Sequence, residues 1–163
     1  ILGPLLFIIY INDFPDILKF LDPTIFADDT TLMAYGKTIE ELALIVNKDL
    51  LTVSEWFQGN RLTLNIKWTN YIVFSHESRH SVNKLINISI NGQTIKRVNN
   101  IKHLGVVFHQ HLRWHKHVNH ILKKVSKYQI IFAYMRKFVD TDKLMLLYNN
   151  FIASLIHTTF IVI

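Results

Sequence analysis

The sequence predicts an α+β fold, with short strands and helices mixed through the first 110 residues and an all-helical end after them. Three observations predict it. "PTIFADDTTLMAYG" (23–36) places β-type residues on both sides of adjacent aspartates, Asp28 and Asp29. Asn91-Gly92 sits between the two β-type runs of "ISINGQTIKRV", which is the strongest short hairpin signal. "VNHILKKVSKYQIIFAYMRKF" (118–138) has the spacing of a basic amphipathic helix, with Ile121, Leu122, Val125, Tyr128, Ile131 and Phe132 turned inward.

The elements follow in order. Pro4 suits the first turn of a helix through "LLFIIYINDF", which Pro15 would close. Two strands, 24–27 and 30–34, meet at the aspartates, with Ile25, Phe26 and Leu32 anchoring them. Thr38 and Glu41 match a capping box, and Ile39, Leu42, Ile45, Val46, Leu50 and Val53 keep helical spacing. That helix should stop near Gly59, which adopts the left-handed conformation without steric cost. Residues 70–75 read as a strand, as does "HLGVVF" (103–108), and a last helix should begin near Thr141.

With no cysteine, disulfides and thiolate metal sites are excluded. "LLFIIYI" (5–11) and "FIASLIHTTFIVI" (151–163) are too short or too interrupted to span a bilayer and read as core, so no membrane partner is expected. The chain opens abruptly on Ile1 rather than Met, which predicts a piece of a longer protein, and a signal peptide is not evident. The net charge of +6 is segregated: residues 1–57 carry nine acidic and three basic side chains, whereas residues 78–139 carry twelve Lys or Arg and no Asp or Glu. An acid-free basic stretch of that length suits a polyanion such as nucleic acid.

Two neighbouring carboxylates repel each other, so Asp28 and Asp29 either occupy a solvated turn or share a cation. Mg²⁺ prefers hard oxygen ligands and commonly takes one or two carboxylates together with substrate phosphates. Residue types alone leave both readings open.

The surrounding motifs decide between them. "ILGPLLFIIYINDFP" followed by "FADD", then "WFQGNRLTLNIKWTNYIVF", "IKHLGVVF" and "LRWHKHV", resembles in this order the reverse transcriptases of non-LTR, LINE-type (jockey-like) retrotransposons. The resemblance covers essentially the whole chain. It implies a partial polymerase palm (catalytic β-hairpin, helix, further hairpin) over residues 1–110 and a thumb-like helical region over 111–163. It implies RNA-directed DNA polymerase chemistry in the intact parent, with Mg²⁺ or Mn²⁺ as cofactor and an RNA template, a DNA primer and dNTP as partners. No obligate protein partner is evident, and the implied compartment is nuclear or cytoplasmic rather than secreted.

Residue by residue, the resemblance implies that Asp28 ligates the metals and Asp29 supports them. Phe26 and Ala27 shape the hairpin, and Gly3 and Pro4 belong to the element touching template and nucleotide. His103, Leu104, Gly105 and Val106 form the primer grip, while Lys116, Lys123, Lys124 and Lys127 lie on the nucleic-acid backbone. Three departures accompany it. The family completes its metal site with an aspartate from an earlier strand, which these residues do not include, so the chain alone is expected to be inactive; Asp13, Asp16 and Asp22 fit connecting turns better. Trp68 stands where the family carries a lysine that stabilises the leaving pyrophosphate, and Lys67, on the opposite face of a strand, would not replace it. His109 stands where relatives commonly carry aspartate.

Two other readings follow from the residues. The basic face would serve a non-catalytic nucleic-acid-binding remnant equally well. His109, His111, His115, His117 and His120 crowd twelve residues and include good zinc-ligand chemistry, although no cysteine or carboxylate accompanies them.

Overall fold

The computed structural model describes residues 2–75 and 86–160. They are mixed α and β, with paired strands in small two-stranded sheets, as the α+β expectation requires. The described residues divide into two compact units, 2–71 with 86–97 and 72–75 with 98–160. The division differs from a cut at residue 110, because the segment 98–109 groups with the helices that follow it.

The first unit is organised on α2 (Ile39–Gly59). Thr38 caps it: its hydroxyl accepts the Glu41 N–H at 3.2 Å, and the Glu41 carboxylate reaches back to the Lys37 N–H at 3.0 Å. One face of α2 supplies Leu50 to a cluster with Ile88, Ile90 and Ile95, and Val53 to a second with Ile11 and Phe14. Phe14, Trp56 and Phe57 meet edge to face at 5.2–5.6 Å between ring centroids in the second cluster. Polar side chains on α2 do as much. Asp49 Oδ2 accepts the N–H groups of Lys19, Phe20 and Leu21 at 3.1, 2.7 and 3.0 Å. Asn47 bonds the Asn87 carbonyl and the Ser89 N–H, and the Ser54 hydroxyl donates to Asn91 Oδ1. These bonds stitch the hairpin of β4 (Ser89–Ile90) and β5 (Gln93–Thr94) to the helix.

α2 stops at Gly59 as expected, but the left-handed conformation expected of Gly59 is corrected. Gly59 remains helical, and Arg61 takes the left-handed conformation at φ 53°. Leu62 N–H bonds the Phe57 carbonyl and Arg61 N–H that of Gln58, which is the Schellman pattern placed two residues later. Pro15 likewise opens a 3-10 turn, Phe14–Ile17, after α1 (Leu2–Tyr10) has already ended. The core reading of 5–11 holds for Ile11 alone among its fully buried residues; Leu5, Leu6, Ile8 and Ile9 are exposed. Only Asn70–Tyr71 of the strand expected over 70–75 is paired (β3), in parallel with β6 (Lys96–Arg97).

In the second unit the single strand expected over 103–108 from residue types is two strands, β7 (Asn100–His103) and β8 (Val106–His109), folded back on each other in a hairpin, as the resemblance implies for "IKHLGVVF". Leu104 and Gly105, with φ of 46° and 89°, make the turn between them. α3 (His115–Met135) packs on β8, and α4 (Thr141–Tyr148) continues through a π-helical turn, Asn149–Ala153, into α5 (Ser154–Phe160). Ile121, Val125, Tyr128 and Phe132 are half-buried, but Leu122 and Ile131 are exposed, so the apolar stripe of α3 is only partly covered. Ile152 is buried, Ala153, Leu155 and Ile156 are half-buried and Phe151 is exposed, so the core reading of 151–163 holds in part; residues 161–163 lie outside the described residues.

Candidate functional site

The aspartate pair sits at the end of an antiparallel hairpin, β1 (Asp22–Phe26) and β2 (Asp29–Met33). Phe26 pairs with Asp29, leaving Ala27 and Asp28 as a two-residue turn. Ala27 has φ 52°, a conformation that costs an alanine about 1–2 kcal/mol and that hairpin turns usually assign to Gly or Asn. Ile25 and Leu32 hold the strands against the Phe14–Val53 cluster. Phe26 does not anchor them: it is 60% exposed, because its side chain falls on the face opposite Ile25. Asp28 and Asp29 are both exposed.

The donor chemistry of the pair fits a hard divalent cation, which Asp28 and Asp29 would hold together with ligands from a bound substrate. Among the described residues, no group of three or more His, Cys, Asp or Glu is arranged to hold a metal ion. Asp22 lies at the far end of the hairpin, paired with Met33. Asp13 receives the Trp56 indole N–H at 3.5 Å and Asp16 belongs to the 3-10 turn, so these two serve connections as expected, whereas Asp22 is a strand residue rather than a turn residue.

The remaining candidates occupy three other supports. Gly3 and Pro4 are in the first turn of α1, whose Leu2, Leu5, Leu6, Ile8 and Ile9 stand in solvent. His103, Leu104, Gly105 and Val106 are the turn and flanking pair of the β7–β8 hairpin. Lys116, Lys123 and Lys127 lie on one face of α3 at spacings of seven and four residues, all exposed, and Lys124 is half-buried one step round the helix. Lys67 and Trp68 correct the strand reading: they lie in a turn closed by Trp68 N–H on the Asn65 carbonyl, so opposite faces of a strand do not separate them. Trp68 is 76% exposed, while Lys67 borders an open cleft of about 370 Å³ shared with Ser54 and Asn91.

Sequence reasoning missed the roles of the histidines. His117 is buried on α3, its Nδ1 accepting the Val107 N–H at 3.2 Å, and its Nε2 has no partner among the described residues. His111 Nδ1 meets the Ser75 carbonyl and its Nε2 the Gln110 amide, both at 3.0 Å. His109 Nδ1 accepts the His111 N–H at 3.2 Å. Burial, reinforced by His111, His115, Arg113 and Lys116, holds the His109 imidazole below its usual pKa. Burial with Lys124, Lys102, His117 and Lys123 does the same to His120. The signal in the sequence was the density of histidine within an acid-free stretch, in which His109, His111 and His117 bond backbone groups.

No family model, curated protein or solved structure matches this chain. Among the described residues, no helix is long and apolar enough to cross a membrane.

Proposed function

We propose that this chain is the part of an RNA-directed DNA polymerase that presents the paired carboxylates, joined to a basic region that binds the template–primer backbone. The observation that carries the reading is the turn at Ala27. A hairpin that holds an alanine at positive φ in order to display two adjacent carboxylates keeps a strained conformation where Gly or Asn would relieve it, and such outliers concentrate at functional sites. The motif order from Gly3 to Val118 supports the same reading. In it, Asp28 and Asp29 supply hard-oxygen ligands, and divalent metal would neutralise developing phosphoryl charge when bound. Ala27 orients the pair, and the lysine face of α3 neutralises backbone phosphates.

Among the described residues the two carboxylates are not part of a larger metal-binding group, so the chain should bind without turning over. Paramagnetic broadening by Mn²⁺ tests the carboxylate role: amides 27–30 should broaden first, and Asp28→Asn should abolish the effect. Broadening that ignores this substitution would sink the metal assignment. Primer extension on an RNA template should fail with both the wild-type chain and Asp28→Ala. Extension by wild type that Asp28→Ala removes would show a complete site and overturn the expected inactivity.

A non-catalytic nucleic-acid binder is the second reading, favoured by the exposed Lys116–Lys123–Lys127 face. Duplex binding that falls steeply with salt and is unchanged by Asp28→Asn and Mg²⁺ would select it, provided Mn²⁺ also leaves amides 27–30 sharp.

A further inference from the structure

The exposed stripe of α3 changes character along its length, and phosphate binding by lysines accounts only for the part up to Lys127. Lys116, Lys123 and Lys127 are followed on the same stripe by Ile130 and Tyr134, because spacings of three, four and seven residues return to one side of a helix. Ile130 is 74% exposed and Tyr134 65% exposed. The chain keeps winding past Met135, with the Lys137 N–H on the Tyr134 carbonyl and the Phe138 N–H on the Met135 carbonyl, so Phe138 stands about one turn beyond Tyr134. The two ring centroids lie 5.3 Å apart with their planes at 51°, and Phe138 is 72% exposed.

This aromatic pair is not the core side of the helix. That side carries Ile121, Val125, Tyr128 and Phe132, all half-buried, with the Tyr128 ring 5.5 Å from that of Phe151. Helical side chains lean toward the N-terminus, so the Tyr134 ring lies over the turn that holds Ile130, with Lys127 beyond it and Phe138 behind it. From Lys127 to Tyr134 is about 10 Å of helix, or roughly three stacked nucleotide steps. Of the charged residues between 134 and 143, Arg136, Lys137 and Lys143 are basic and Asp140 and Asp142 acidic, and Asp140 faces Lys143 at 3.6 Å. A row of cations that leads to an open aromatic face suits a ligand with phosphates along its length and flat rings to offer. Those rings are free to stack only where a strand is unpaired. A lipid surface suits it less well. A helix lying on a membrane keeps its cations beside an apolar face that runs its whole length, whereas here cations and aromatics succeed one another end to end.

We propose that Tyr134, backed by Phe138, is a stacking platform for an unpaired base, so that α3 binds a junction at which a duplex held by the lysines continues as a single strand. The inference rests on the nucleic-acid reading above and names the form of its ligand. Lysines attract phosphates whether or not the bases are paired, while an aromatic face responds only to a base whose own face is open. Ile130 supplies aliphatic surface between the last lysine and the platform. Stacking on one ring raises affinity by about fivefold or more and tolerates every base, since each has a π face. The platform therefore adds preference for a structure, a single-stranded extension, and not for a sequence.

The test is fluorescence anisotropy of the full chain with three labelled RNA–DNA ligands at constant ionic strength. They are a blunt duplex, the duplex with an unpaired extension of about five nucleotides, tried at each end, and the same extension built from abasic sugar-phosphates. The extension with bases should bind at least about fivefold more tightly than the abasic one, which carries the same charge. Tyr134→Ala should remove that difference and leave blunt-duplex binding and its salt dependence unchanged, whereas Tyr134→Trp should keep it. Lys123→Gln combined with Lys127→Gln should weaken all three ligands together and lower the salt dependence. If Tyr134→Ala fails to fold, the wild-type ring protons of Tyr134 decide: they should shift upfield with the base-bearing extension and stay in place with the abasic one. Salt-sensitive binding with equal affinity for the two extensions would overturn the platform and leave the basic-face reading intact. A difference that survives Tyr134→Ala, or Tyr134 ring protons that ignore the bases, would overturn it too. Binding to phosphatidylserine–phosphatidylcholine vesicles, or self-association in sedimentation, that Tyr134→Ala removes while bases bring no preference would assign the pair to a membrane or to a second copy instead. No binding of any of the three ligands at low salt would remove both readings.

Discussion

Among the described residues each unit buries one ionisable side chain to 2% exposure, Asp49 in the first and His117 in the second, and they are satisfied unequally. Asp49 collects three backbone N–H groups on one oxygen and sits on α2 between two apolar clusters. His117 accepts one N–H, keeps an unpartnered Nε2, and belongs to a unit whose buried hydrophobic residue is Ile152 among the described residues. The first unit is held by an apolar core with its polar exceptions paid in full. The second relies on imidazole-to-backbone bonds, which depend on protonation.

Breaking the first anchor should have the largest effect. Asp49→Ala leaves three N–H groups of the 19–21 segment without an acceptor and should cost about 3 kcal/mol, read by urea unfolding and by faster hydrogen exchange at those amides. Asp49→Asn keeps one acceptor oxygen and should cost less than half as much. A cost for Asp49→Ala within 0.5 kcal/mol of zero, on the scale of ordinary surface changes, would erase the contrast between the units.

Acid should separate the units next. His109 and His120 titrate below their usual value in the folded state, so the unfolded chain binds their protons more tightly. Their contribution is intact above about pH 6.5 and is lost as pH falls below that value toward their folded pKa. Amide exchange between pH 7.5 and 5, corrected for its intrinsic rate, should show residues 98–135 opening before those of α2. Equal loss in both units would contradict the division.

The hairpin turns sharpen the comparison on a smaller scale. Asn91-Gly92 places suitable residues at φ 51° and 75°, and Asn91 also receives the Ser54 hydroxyl, so Asn91→Ala should destabilise by about 1–2 kcal/mol. Ala27 has no such suitability. Ala27→Gly should stabilise by about 0.5–1 kcal/mol, the relief of positive φ less the added chain entropy, measurable as a raised urea midpoint. If Ala27→Gly instead weakens Mn²⁺ broadening at residues 27–30 while stabilising the fold, the strain serves to orient the carboxylates.

Local chemistry was legible in proportion to how little it needed from elsewhere. The Thr38 cap, the Asn91-Gly92 turn and the tight turn at Asp28 depend on a few neighbouring residues and follow from their types. Where a left-handed residue was needed but glycine was not used, the reading went astray. α2 stops at Gly59, but the left-handed residue that closes it is Arg61 rather than the glycine. Leu104 likewise takes positive φ and folds 100–109 into a hairpin: pairing from Asn100 with His109 through His103 with Val106 outweighs the cost at one residue.

By itself the sequence determined the mixture of helix and strand, the display of two adjacent carboxylates at a turn, and the acid-free basic stretch, because each is a matter of residue type and short spacing. Tertiary structure alone decided which polar groups became interior. Asp49 reads as one more acid on a helix until the 19–21 backbone arrives with three donors, and His109 reads as a drifted position until Arg113, His115 and Lys116 surround it. Both depend on partners brought together by the fold, through interactions whose strength is set by burial and distance rather than by order along the chain.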